Sequence, residues 1–462
     1  MNQFLLTTLL LLAFFTQHPA LGQGQVPAPL SGQWKGPLKL LGGEITLVIT
    51  IVPLTNGTYY AALDAPQQRI SRMPVEVELK GDNLVLKIEQ AGSSFVGKVL
   101  DNGAKLDGIW TQPGISAPLV LRRAAASVQA ATKFKATPPY RETDVSFLNP
   151  ATRQHLGGTL TVPAGEGPFA AVVLLSDSGP QNRDVEVPGY RMFGQLADYL
   201  TRHGIAVLRF DDRGVGQSGG TLVGTTSADY TTDAQAALTW LRAQPGIRKT
   251  QVGLVGHSQG GTAAIGAAIQ PAGPDFLVLL AAPGIPGDEL IVQQSLAGAR
   301  LQTTDAAQLA TTEKLQRAMT QIVQKNPDNA VAHAQLLAYY KAIDPQLAAR
   351  IEPQLTVLTS PDYRHLLADR PAQTLAKVHC PVLALGGSKD IQVPTAKNLA
   401  ATAAALQAGG NRDVTVKELP GLNHLFQTAP TGAVLEYGTI EETFAPAALQ
   451  LVGDWITQHT RK

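Results

Sequence analysis

The stretch LVGHSQGGT, residues 254–262, decides the fold. An apolar run, QVGLVG (251–256), stops at Gly256, His257 and Ser258 follow, and Gly260 and Gly261 come directly after. A short apolar run that ends in glycines reads as a buried strand turning sharply into a helix. Gly256-His257-Ser258-Gln259-Gly260 fits the pattern G-x-S-x-G in that setting. Such a turn leaves no room for side chains flanking the serine. It lifts the Ser258 hydroxyl above the sheet edge and aims the next backbone N–H, that of Gln259, at the same point. A plain tight turn would use the same glycines, so the partners of the serine decide between the two readings.

A serine hydroxyl is a poor nucleophile near neutral pH and needs a base, which in turn needs an orienting acid. Nine histidines are present. His18 lies in an N-terminal apolar segment and His459 in the tail; His257 abuts the serine and is turned away by the backbone. His155 and His203 sit in polar connections, His333 and His365 in a helical insertion, and His379 precedes a strand at its wrong end. His424, in LPGLNHLF, follows the last strand, where a loop opens onto the same edge as Ser258. The acid expected between them is Asp390 in LGGSKDIQVP, directly after the strand 381–387, with Asp288 as the alternative. Two oxyanion donors are expected: the N–H of Gln259, and that of Ser178 in SDSGPQNRD (176–184), the loop after AVVLL.

Outward from this centre, apolar runs alternate with helical patterns: 170–176, 204–210, 251–256, 276–282, 381–387 and 414–419. Continuous apolar strands between helices require a mostly parallel sheet covered on both faces. Between LLAAPG and PVLALGG the strands stop and helical periodicity takes over, as in Leu315, Met319, Ile322 and Val323. This predicts a helical cap at about 285–371. Residues 23–125 instead alternate with period two (Ile45, Leu47, Ile49 and Ile51 on one face; Glu76, Glu78 and Lys87 outward) between turns such as Asn56-Gly57. That predicts a small all-β barrel or sandwich, with Trp34 and Trp110 plugging its ends. Residues 126–139 read as a linker.

The remaining features narrow the setting. FLLTTLLLLAFF (4–15) is too short to span a bilayer, which takes ~20 residues, and Ala20-Leu21-Gly22 follows as a small-x-small site. Residues 1–22 therefore read as a signal peptide, with the protein exported, periplasmic or secreted, and with no stable membrane insertion after cleavage. Net charge is +1, which gives no reason to expect nucleic acid. Cys380 is the single cysteine, so an intrachain disulfide or a cysteine metal site is excluded; it reads as a buried structural residue. Gly214-x-Gly216-x-x-Gly219 matches a dinucleotide fingerprint, but GTLVGTTS delays the next helix to about Ala228. A Gly-rich connection in which Arg213 ties down acidic neighbours fits better.

LLSDSGPQNRD, LRFDDRGVGQS, GHSQGG, GGSKDIQVP and LNHLF, in that order over residues 140–462, resemble the α/β-hydrolase superfamily, and within it bacterial serine esterases with a helical cap. The chain is also similar to serine aminopeptidases and acyl-CoA thioesterases. The resemblance implies no metal and no cofactor. Family members often carry histidine-glycine where this chain has Ser176-Asp177, which bears on the oxyanion geometry. The expectation is an exported serine hydrolase acting on a small-molecule ester. The alternatives are a peptidase or thioesterase on the same triad, with Asp288 and Glu289 available for a peptide amine, and a non-catalytic binding protein on a hydrolase scaffold.

Overall fold

The computed structural model of the chain describes residues 30–461 apart from 31, 41–42, 54–58, 66–69, 89–91, 113–114, 124–137, 180, 188–189, 222–224, 438–439 and 441–442. Residues 1–22, read as a signal peptide, and nearly all of the expected linker 126–139 lie outside the described residues. The chain forms two compact units, one built on the strands before residue 138 and the other on nearly all of the chain from Pro139 onward.

The first unit is a closed barrel of eight strands: β1 (Gly32–Leu40), β2 (Gly43–Pro53), β3 (Tyr59–Ala65), β4 (Ile70–Lys80), β5 (Asn83–Ile88), β6 (Ser93–Leu100), β7 (Lys105–Gln112) and β8 (Ile115–Arg123). Each strand runs antiparallel to the next, and β1 meets β8 through Trp34 opposite Arg123. The period of two sends alternate side chains inward. Leu47, Ile49 and Ile51 are buried and Ile45 packs against them, while Glu78 faces out and pairs with Lys87 across β4 and β5. Both tryptophans lie in the barrel interior with their N–H groups satisfied: Trp34 donates to the Leu30 carbonyl at 2.9 Å and Trp110 to Gln112 Oε1 at 2.9 Å.

The second unit holds β9 (Tyr140–Asn149), β10 (Gln154–Pro163), β11 (Phe169–Leu175), a small hairpin of β12 (Glu186–Val187) and β13 (Tyr190–Arg191), β14 (Ile205–Phe210), β15 (Ile247–His257), β16 (Leu277–Leu280), β17 (Val382–Gly387) and β18 (Val414–Leu419). Apart from the hairpin these form one sheet in the order β18-β17-β16-β15-β11-β14-β10-β9. It is parallel from β18 to β14 and antiparallel through β10 and β9. Its helices are α1 (Met192–Arg202), α2 (Ser227–Arg242), α3 (Gln259–Ala268), α10 (Thr395–Ala408) and α11 (Pro446–Thr460), with six more, α4 (Gly287–Arg300), α5 (Ala306–Lys325), α6 (Asn329–Ile343), α7 (Pro345–Leu358), α8 (Pro361–Ala368) and α9 (Pro371–Leu375), inserted between β16 and β17. This is the α/β-hydrolase architecture. The apolar repeat read in the insertion is its own core: Leu315, Met319 and Val323 are buried with Leu336, Tyr340 and Leu355.

The central strands β11, β14, β15, β16 and β17 carry nearly unbroken apolar burial because helices cover both faces. The sequence reading singles out neither β9 nor β10. β9 is an edge strand whose residues Arg141 to Asp144 are exposed, so it lacks the apolar run that marks the others. The connection after β11 leads to β14 on one side, and the connection after β15 leads to β16 on the other. The loops after β11 and β15 therefore part at a topological switch point, where α/β sheets open a crevice.

Candidate active site

Ser258 stands between the end of β15 and the start of α3 with φ +52° and ψ −118°. A positive φ on a residue with a Cβ costs of order 1–3 kcal/mol and persists only where the surroundings over-determine it. Here the Ser258 N–H donates to the Leu280 carbonyl at 2.8 Å, and the Ser258 carbonyl accepts the Gly261 N–H at 2.9 Å. The flanking glycines are sterically required. A Cβ on Gly256 would lie 2.3 Å from the Gly260 carbonyl oxygen, and one on Gly260 would lie 2.2 Å from that of Leu175.

The base loop follows β18. Asn423 builds it: its Oδ1 accepts the N–H groups of Leu425 and Gln427 at 3.0 and 2.9 Å, and its own N–H donates to the Gln427 carbonyl. The Tyr190 hydroxyl pins the loop from the β13 side by donating to the Leu425 carbonyl at 3.0 Å. His424 is held inside, 1 % exposed. Its Nδ1 lies 2.8 Å from Oδ2 of Asp390, whose Oδ1 accepts the N–H groups of Gln392 and Val393 at 2.8 and 2.9 Å. Asp288, the alternative acid, is elsewhere, paired with Arg370 at 3.2 Å.

The second ring nitrogen of His424 meets Asp177. Oδ2 of Asp177 lies 3.3 Å from Nε2, and the Ser258 side chain also favours the charged form of this carboxylate. Oδ1 of Asp177 accepts the Ser178 N–H at 2.6 Å. The amide expected to serve as second oxyanion donor is thus engaged by the side chain before it, a correction to the expectation of a free donor. The Gln259 N–H stands at the first turn of α3. Burial works against charge on Asp177, but the His424 ring, His257 and the Ser258 hydroxyl together hold its carboxyl well below the usual range. Burial likewise works against a charged His424, yet Asp390 and Asp177 outweigh it and raise the imidazole to about 10.

His257 is fully buried with its ring centroid 4.7 Å from that of His424. Its Nε2 lies 2.9 Å from the His424 carbonyl. A carbonyl only accepts, so this nitrogen carries the proton. Burial first, and then the neighbouring His424 charge, depress His257 to about 4. Asp177, His257 and His424 place donor atoms within 4.8 Å of one another, the grouping among the described residues able to hold a cation. His424 already has both nitrogens committed to carboxylates, which leaves it no lone pair to offer a cation.

Sequence reasoning missed the contacts of Asp177 and His257, and both had signals: Asp177 is where the chain departs from the histidine-glycine pattern, and His257 abuts the serine. In the Gly-rich connection, Arg213 binds Asp233 at 2.5 Å and Asp229 at 3.0 Å, and α2 starts only at Ser227, so no helix opens on those glycines. Cys380 is half-buried, and burial pushes its thiol up to about 12.

The chain matches the model of the X-Pro dipeptidyl-peptidase (S15) family over residues 112–417, a span that includes Ser258 and Asp390 and stops short of His424. It is 31 % identical to esterase EstD of Thermotoga maritima over 144 residues, which is 30 % of this chain and 33 % of that protein. It is 27 % identical over 200 residues to an uncharacterised 31.7 kDa protein of Escherichia coli, 42 % of this chain and 66 % of that one. The matched region thus spans less than two thirds of either relative. Among solved structures it is similar to an esterase of Pyrococcus furiosus (17 % identity, 69 % of this chain and 93 % of that one, TM-score 0.41). It is similar also to a proline iminopeptidase of Mycobacterium smegmatis (20 %, 69 % and 98 %, TM-score 0.43). With the family match running through two thirds of its length, the chain, which has the α/β-hydrolase fold, belongs to the X-Pro dipeptidyl-peptidase (S15) family.

Proposed function

We propose that the protein is an exported hydrolase of carboxylic esters in which Ser258 is the nucleophile, His424 its base and Asp390 the acid that orients the base. The observation that carries this is the buried Asp390–His424 pair at 2.8 Å, on the sheet edge that also bears the strained turn at Ser258. In the reaction, His424 Nε2 takes the Ser258 proton as Oγ attacks the acyl carbon, and Asp390 stabilises the imidazolium that forms. The Gln259 N–H, with a second amide from the 176–184 loop, would receive the oxyanion. The imidazolium protonates the leaving alkoxide. A water activated by His424 then releases the acid from the acyl-enzyme.

Esters are favoured over peptides by what has become of the carboxylates suited to a peptide amine. Asp288 is paired with Arg370, and Glu289 with Arg317 at 2.8 Å and with Gln293; neither is free to hold a substrate cation. Similarity to an esterase supports the same side. Peptide hydrolysis is the second reading, favoured by the family match. Purified protein offered p-nitrophenyl acyl esters and X-Pro p-nitroanilides separates the two, with turnover of esters alone expected. Ser258→Ala should abolish turnover and fluorophosphonate labelling together; a variant that still labels would show that another serine reacts. Export rests on residues 1–22, and N-terminal sequencing of the mature protein, expected to begin just after Gly22, tests it.

A further inference from the structure

Two groups that acyl transfer needs are, in the free protein, both turned to one side chain. Asp177 Oδ1 takes the Ser178 N–H at 2.6 Å and its Oδ2 lies 3.3 Å from His424 Nε2, while the Ser258 side chain favours the charge on the same carboxylate. A carboxylate bound at once by the base and by the oxyanion-loop amide stands where the product acid would stand. We propose that Asp177 is a further catalytic-site residue that competes with substrate: its carboxylate occupies the acyl position in the free enzyme, keeps a proton on His424 Nε2, and must swing away before Ser258 can be acylated.

The argument rests on the assignment of Ser258 and His424 made above and on donor counting. An ionised carboxylate only accepts hydrogen bonds. His424 faces one on each nitrogen, Asp390 on Nδ1 at 2.8 Å and Asp177 on Nε2. Both nitrogens must therefore carry protons, and the ring is an imidazolium. An imidazolium has no lone pair with which to accept the Ser258 proton. When Asp177 leaves, the Nε2 proton passes to water and the neutral Nδ1–H ring, still held by Asp390, becomes the base. The groups facing the ring from other elements do not reverse this. His257, from the end of β15, is neutral at rest and spends its Nε2–H on the His424 carbonyl. Tyr190 contacts the loop through the Leu425 carbonyl and not the ring. Asp212 lies one step behind the 176–184 loop, bonded to Ser176 at 2.6 Å and to the Gln181 N–H at 3.0 Å. A carboxylate left in place would also oppose the developing oxyanion, so leaving removes two obstacles at once.

The test compares wild type with Asp177→Gly and Asp177→Asn. Asparagine keeps the size of the side chain should the glycine variant fold poorly. The rate of fluorophosphonate labelling is followed from pH 5 to 10, with melting temperature as a control on folding. Both variants are expected to label at pH 7 at least about tenfold faster than wild type, a factor worth ~1.4 kcal/mol at the barrier, with the rising limb of the profile moved to lower pH. In 15N-histidine-labelled protein at pH 7, His424 should be doubly protonated in wild type and singly protonated in Asp177→Asn. That measurement stands even if the wild type labels at no pH, an outcome that would count against Ser258 as nucleophile. Folded variants that label no faster than wild type, or a wild-type His424 with one proton at pH 7, overturn the proposal.

Discussion

Asp390→Asn isolates the acid. Oδ1 of Asp390 accepts the N–H groups of Gln392 and Val393, and Oδ2 alone faces His424. An asparagine can keep both backbone bonds only with its carbonyl oxygen at the Oδ1 position, which puts the amide NH2 at 2.8 Å from His424 Nδ1. An NH2 group only donates. Nδ1 must then accept, and the ring proton sits on Nε2, the nitrogen that has to receive the Ser258 proton. The wrong tautomer and the missing countercharge together cost about 10⁴ in kcat in serine hydrolases whose geometry is otherwise kept, about 5.5 kcal/mol at the barrier. Asp177 deepens the effect, because its carboxylate favours a proton on Nε2 as well. Since Asp390 is buried behind the histidine, KM should hold while kcat falls. The assay is steady-state p-nitrophenyl ester hydrolysis, with circular dichroism to show that the fold is retained. A folded variant with kcat within tenfold of wild type would refute the assignment of the acid and the tautomer argument with it.

The turn at Ser258 and the buried His257 give two more expectations. Gly260→Ala places a methyl group 2.2 Å from the Leu175 carbonyl oxygen, and overpacking of this kind costs about 1–3 kcal/mol; the melting temperature should fall by several degrees, and an unchanged value would show that the turn has slack. His257 is depressed to about 4 by burial and by the His424 charge, against an unfolded value of ~6.5. Its contribution to stability is therefore complete above the unfolded value and is lost as pH falls through the folded one. Urea midpoints should drop between about pH 6.5 and 4, less steeply in His257→Asn, and equal slopes in the two proteins would remove His257 as the cause.

What the sequence disclosed and what it hid follow from the range of each signal. Burial on both faces leaves continuous apolar runs, so β11, β14, β15, β16 and β17 could be read directly, as could the periodicity of the inserted helices and the inward side of β2 from Leu47, Ile49 and Ile51. β9 stayed hidden because an edge strand half in solvent keeps its polar residues. The turn at Ser258 was legible through glycine spacing, and the pairing of Asp390 with His424 through the position of each after a strand, both local cues that topology makes meaningful. The state of the oxyanion loop was not. Whether the Ser178 N–H is free depends on which way one neighbouring side chain turns, and no period or spacing encodes that.

The same loop shows why a departure from a family pattern is worth following into the coordinates. Glycine beside an oxyanion donor is inert: it adds no charge and no acceptor. At position 177 the chain instead places a carboxylate one peptide bond from the amide expected to bind an oxyanion, at the switch point where the loops after β11 and β15 part. Neighbouring like charges or unpaired burial would ordinarily drive such a group to protonate. Here the His424 ring, His257 and the Ser258 hydroxyl hold it ionised. The attraction is mutual: the groups that keep Asp177 charged are those it keeps from reacting, so the free enzyme is most stable in the arrangement least able to acylate. An enzyme built this way gains its nucleophile only when something with a better claim on the crevice takes the carboxylate's place.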